Sequence, residues 1–323
     1  MLSSRLLRVA LVSAMAAGCG DGGADAEPAR WLLAPSDPLP SLLSEVGLFT
    51  DMTERAPYED LVPYSPKHVL YSNGLDKERQ LYLPDGTSID VEDDDGWVYP
   101  EGTVLAKTFV FDGAPVETRL IFRNGGDWDY TIYRWTDDAT DAERLEGNWA
   151  EETVSVGDEG QPHTLPSRLD CRTCHETHEA VTDSPVLGVG RYQTDDRLVD
   201  AGVFASEPQQ DEAEGRTDEE TAAFSYFIGN CTSCHNGGDA LNSSFSLYPE
   251  DAIDNTVDRP TSSETGQGIR VVPGDPAESV LFVTVVEAGD PSYRGPFKVM
   301  PPIGVDTTDP SADAVLGDWI EGL

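Results

Sequence analysis

Residues 217–235 read TDEETAAFSYFIGNCTSCH. Thr217 and Asp218 can cap a helix in which Phe224, Phe227, Ile228 and Cys231 recur at i, i+3, i+4 and i+7, so one apolar face runs up to the cysteines. The predicted helix ends by delivering Cys231-Thr232-Ser233-Cys234-His235. Two thiols separated by two residues can reach both vinyl groups of one porphyrin, and the adjacent imidazole can then ligate the iron. C-x-x-C-H therefore reads as a c-type haem attachment signal.

Upstream the pattern recurs as Cys171-Arg172-Thr173-Cys174-His175. The chain has only five Cys and five His. From that composition one such pentapeptide arises by chance in about one chain in a thousand, and two in about one in a million. Zinc or disulfide readings fit less well. Zinc ribbons need no His after each pair, and a Cys-x-x-Cys disulfide is strained and redox-active rather than structural. The expected cofactors are two covalently attached haem c groups, held by Cys171 and Cys174 and by Cys231 and Cys234. His175 and His235 are the expected iron ligands.

The fifth cysteine has another explanation. Residues 1–19 carry Arg5 and Arg8, then a short apolar run from Val9 to Ala17, and end Ala16-Ala17-Gly18-Cys19. This is the form of an export signal with a lipobox, and Cys19 is the expected lipidation site. The run is too short to span a bilayer, which takes about 20 residues. Residues 20–39 open with small and acidic residues and read as a flexible tether. The expected address is the periplasmic side of a bacterial membrane, or the cell surface, with membrane attachment only through the lipid.

Composition bounds the rest. The chain has 323 residues, 60 Asp+Glu against 21 Lys+Arg and a formal charge of −39. So acidic a surface offers nothing to release phosphate counterions, which excludes nucleic acid as a partner. Residues 40–160 read as a β-rich domain, with strands expected at 79–83, 87–91, 104–111, 117–122, 130–135 and 148–156. Turn residues separate them, and such spacing suggests an antiparallel sandwich or barrel. Trp97, Trp128, Trp135 and Trp149 suit the core and edge of that sheet better than a sugar-binding face. The acidic run 90–95 misses the EF-hand register and reads as a solvated turn. Residues 161–215 read as a loop-rich first haem segment. Residues 216–323 read as mostly α-helical, with Asp275-Pro276-Ala277-Glu278 as a helix start and a last helix presenting Ala312, Val315, Leu316, Trp319, Ile320 and Leu323 on one face. The expected class is α+β multidomain.

The order helix, C-x-x-C-H, loop, helix, Met-Pro loop, helix resembles a class I cytochrome c domain. That resemblance implies that Met300, in Met300-Pro301-Pro302, is the sixth ligand of the second haem. From about residue 41 to the end, the chain resembles a family of bacterial dihaem c-type cytochrome lipoproteins with a β-rich amino-terminal domain. The matching stretches are LSEVGLF at 43–49, LYLPDGTSID at 81–90, GTVLAKTF at 102–109, ETRLIF at 117–122, VPGDPAESVL at 272–281, MPPIG at 300–304 and both haem motifs. The resemblance implies electron transfer outside the cytoplasm and supplies no substrate.

For the distal side of the first haem the candidates are His163, His178, His68, Met52 or no protein ligand. His163 is favoured because a Pro-rich segment joins it to the motif, whereas His178 follows His175 by only three residues. The expected function is electron relay between redox proteins, with an acidic cytochrome region steering a partner that has a basic docking surface. The alternatives are a peroxidase-like dihaem oxidoreductase with an open first haem, and a β-domain binding module with haems as wiring or sensor.

Overall fold

The computed structural model describes residues 30–33, 38–91, 96–239, 245–261, 266–290 and 292–323. The expected export signal with Cys19, the first part of the tether and most of the acidic run 90–95 lie outside the described residues.

After a short helix α1 (Leu43–Val46) and a small ladder of β1 (Phe49–Asp51) with β2 (Ala56–Pro57), the chain builds one antiparallel sheet. Its strands are β3 (Leu61–Tyr64), β4 (Asp76–Tyr82), β5 (Val104–Phe111), β6 (Ala114–Asn124), β7 (Asp127–Trp135) and β8 (Ala142–Arg144), each paired with the next in sequence. The turn Asp112-Gly113 has φ of 48° and 84°, and Gly125-Gly126 has 68° and 88°. Two successive positive φ values match the right-handed strand twist and close two-residue hairpins. A separate ladder pairs β9 (Glu152–Val156) with β10 (Gln161–Leu165).

The sheet does not close. β3 and β8 are its edges, so the expected sandwich or barrel is instead a single six-stranded meander buried on both faces. Alternation sorts the faces. Tyr82, Val104, Ala106, Leu120, Phe122, Tyr133 and Trp135 pack with the amino-terminal residues Trp31, Leu32, Leu43 and Leu48. Tyr64, Leu81, Leu105, Ile121 and Tyr130 pack instead with Val186, Val189, Leu198 and Val203, downstream of the first motif.

The segment 161–215 is less loop-like than expected. The first motif lies inside α2 (Arg168–Thr182), a 15-residue helix. Its start is a capping box: Ser167 Oγ accepts from Asp170 N while the Asp170 carboxylate accepts from Ser167 N. A short α3 (Asp196–Asp200) follows.

Among the described residues four further α-helices follow: α4 (Asp218–Asn230), α5 (Pro249–Thr256), α6 (Val280–Phe282) and α7 (Ala312–Glu321). Thr217 caps α4 as expected, accepting from Glu220 N. After Asp275 the chain makes a 3-10 turn, the short α6 and then a π-helical stretch, Val283–Glu287. Such a β-branched run loses side-chain freedom in a regular helix. Phe224, Phe227 and Ile228 of α4 share a core with Leu316, Trp319 and Ile320 of α7, and Phe227 meets Trp319 edge-on at 5.4 Å between ring centroids.

Candidate functional site

Both C-x-x-C-H motifs open onto one cavity of about 1030 Å³, bounded by the sheet, α2, the end of α4 and the 297–305 loop. Cys171, Cys174, His175, Cys231, Cys234, His235 and Met300 all border it. The four cysteines form no disulfide. Among the described residues no three His, Cys, Asp or Glu side chains converge as a direct metal cage.

The motifs are brought against each other. The Asn236 side-chain amide, just past the second motif, donates to Thr177 O of α2 at 3.2 Å, and a Cβ at Gly238 would stand 2.6 Å from Val181 Cγ2. Cys174 and Cys234 lie close enough to interact: their contact lowers the Cys234 thiol's pKa and, with burial, raises that of Cys174.

The His175 ring has a defined tautomer. Its Nδ1 lies 2.6 Å from Pro185 O. A carbonyl only accepts, so Nδ1 carries the proton and Nε2 keeps its lone pair, the arrangement a metal-bound imidazole requires. Burial holds the ring neutral, with its pKa down to about 3. His235 is likewise pushed down to about 4 by burial, and its ring lies 4.4 Å from that of Phe245. Among the described residues His235 Nδ1 has no partner. Two neutral imidazoles, each beside a thiol pair at the wall of a cavity of this size, fit two covalently held porphyrins.

The candidates for the first haem's sixth ligand separate. His163, expected to fold over the distal face of the first haem, does not border the cavity. β10 fixes it in a ladder opposite Val154, where it is fully buried and its Nε2 is 2.9 Å from Glu117 Oε1. Met52 packs with the amino-terminal core instead. His68 and His178 do border the cavity. His178 stands at i+3 from His175 on α2, so both imidazoles leave the same side of that helix.

The charge of the lining was not foreseen from the motifs. Among the described residues six Lys or Arg border the cavity (Arg79, Lys107, Arg119, Arg191, Arg270 and Lys298) against one carboxylate, Asp170. The whole chain has nearly three acidic residues for each basic one, 60 against 21. The interior therefore inverts the sign of the chain. The sequence signal was present: Arg79, Lys107 and Arg119 occupy the same alternation phase as the apolar Leu81, Leu105 and Ile121.

The four tryptophans form no exposed row. Trp97 and Trp135 are buried, while Trp128 and Trp149 are half-buried. Among the described residues no helix is long and apolar enough to cross a membrane.

No protein-family model, no curated protein and no solved structure matches the chain.

Proposed function

We propose that the chain is an exported dihaem c-type cytochrome that relays electrons between redox proteins. What supports this most is that two C-x-x-C-H segments, far apart in sequence, line one cavity with Cys174 and Cys234 close enough to interact. Haem supplies a one-electron ferric–ferrous couple when bound. The chain's part is to fasten two such groups with their thioether edges adjacent, to present neutral imidazoles from His175 and His235, and to wall both from water.

The finer reading of residues 216–323 as a class I cytochrome c-like domain draws support from the α4–α7 core, from Phe227 against Trp319, and from Met300 at the cavity wall. Met300 would be the sixth ligand of the second haem. That region carries 18 Asp and Glu against five Lys and Arg, which suits a partner with a basic docking surface. The leader and Cys19 support a lipid anchor on the periplasmic side or at the cell surface. The resemblance to the dihaem lipoprotein family agrees with each of these points.

A second reading, a peroxidase-like oxidoreductase, is favoured by the withdrawal of His163 from the cavity, which removes one candidate for closing the first iron. Full-length protein matured in a host with c-type haem assembly tests both. A mass increase of two haems, a Soret band and two low-spin ferric signals are expected for the carrier. A high-spin ferric signal with peroxide turnover would instead select the oxidoreductase, and a colourless chain of unmodified mass would overturn both.

A further inference from the structure

Three of the six cavity cations form a line. In the antiparallel register Arg79 of β4 faces Lys107 of β5, and Lys107 faces Arg119 of β6. Residues paired in this way stand about 5 Å apart, and like charges directly opposite are destabilising. Glu117 is the one carboxylate that answers the row, ion-paired with Arg119 and also bonded to His163. Arg79 is only 8% exposed, and among the described residues neither its guanidinium nor the Lys107 ammonium is paired with a carboxylate. Burial and the flanking Arg119 and Arg79 push Lys107 well below its ordinary value. The row therefore places two cationic side chains without a carboxylate partner among the described residues on a cavity wall, and Lys107 regains its full charge only when an anion stands beside it.

We propose that Arg79, Lys107 and Arg119 form a binding site for a pair of carboxylates on the cavity's sheet wall. Arg79 offers the planar donor fork that matches one carboxylate, and a second carboxylate beside Lys107 would restore its ammonium, so the row suits a dianion. The same chemistry has two sources: the two propionates of a porphyrin fastened at Cys171 and Cys174, or a free dicarboxylate entering the cavity. The first source rests on the haem assignment above; the second does not.

Full-length protein is matured, its haem content is counted by intact mass, and wild type is compared with Arg79→Gln, Lys107→Met and Lys77→Gln. Lys77 lies two residues along β4 with its ammonium held by Leu70 O at 2.6 Å, so its variant reports the loss of a nearby charge alone. If propionates occupy the row, the row variants lower the first haem's potential by a roughly tenfold shift of its ferric–ferrous equilibrium, about 59 mV for one electron. Lys77→Gln then moves it far less, and the second haem stays unchanged. If a free dicarboxylate is the occupant, succinate raises the melting temperature of wild type saturably and leaves the row variants unmoved. The proposal is overturned if succinate has no effect and no haem is present. It is equally overturned if succinate has no effect and the row variants shift the potential no more than Lys77→Gln does. Lys107→Met keeps the apolar stem, so a folded variant remains for comparison if Arg79→Gln does not accumulate.

Discussion

Cys171–His175 lies within a capped helix pressed against a cation-bearing sheet, whereas Cys231–His235 begins where α4 ends and rests on Phe245. The first imidazole is oriented by the Pro185 carbonyl; the second has no Nδ1 partner among the described residues. Five residues of identical spacing thus sit in two different surroundings, and on the proposed haem reading those surroundings set the two sites apart. A hydrogen bond to Nδ1 raises the basicity of the ligating nitrogen, and neighbouring positive charge favours the reduced iron. The two sites should therefore differ in potential although their motifs match.

The largest effect expected is on that pair itself. Cys171→Ala with Cys174→Ala should remove one haem from the intact mass and leave the other, and Cys231→Ala with Cys234→Ala should do the reverse. Loss of both haems from either double variant would show that the sites cannot form separately.

Next in size is the ion cluster under the first site. Glu117 is fully buried between Arg119 and His163. Glu117→Leu leaves the half-buried Arg119 guanidinium and the buried His163 ring without their partner and should cost about 3 kcal/mol in urea unfolding. The same carboxylate sets an acid limit. Burial alone would raise its pKa, but Arg119 and His163 hold it down to about 2. A folded pKa below the unfolded one gives stability that is present above the unfolded value, about 4.3, and is lost as pH falls toward 2. Unfolding followed across that window should show a slope that Glu117→Gln removes.

A smaller loss is expected where the second site's loop is held. Asn73, fully buried, accepts from Asp306 N at 2.7 Å and donates to Asp306 Oδ2 at 2.9 Å. Asn73→Gly keeps the left-handed backbone at φ 53° and removes the side chain, at about 1–3 kcal/mol by the same assay. Least of all, Ser167→Ala strips the cap from α2 and should cost about 1 kcal/mol.

How far the sequence carried depends on where each signal resides. Strand β5 and helix α4 are local and periodic, and their residues announced them. The capping box Ser167–Asp170 was equally local but was hidden among prolines, so α2 was read as loop. His163 shows the opposite limit: joined to the motif by a short flexible segment, it looked free to reach the iron, yet a cross-strand partner and Glu117 hold it elsewhere. That partnership joins residues 46 positions apart, and no local pattern encodes it. The cation row lies between these cases, since each strand shows a cation in the phase of its buried apolar residues, but only the register aligns them.

The knot around Asn73 bears on how this chain can be divided. Thr164 of β10 also binds Asp306, through its amide at 2.8 Å and its hydroxyl at 2.7 Å, so two separate parts of the amino-terminal half grip the stretch that follows Met300. A gene fragment beginning near residue 216 would encode the second motif, its helices and Met300, but would lack the mould in which that stretch sets. The amino-terminal half is accordingly a jig for residues 306–307 of the carboxyl-terminal one, which a fragment cut near residue 216 leaves without those partners.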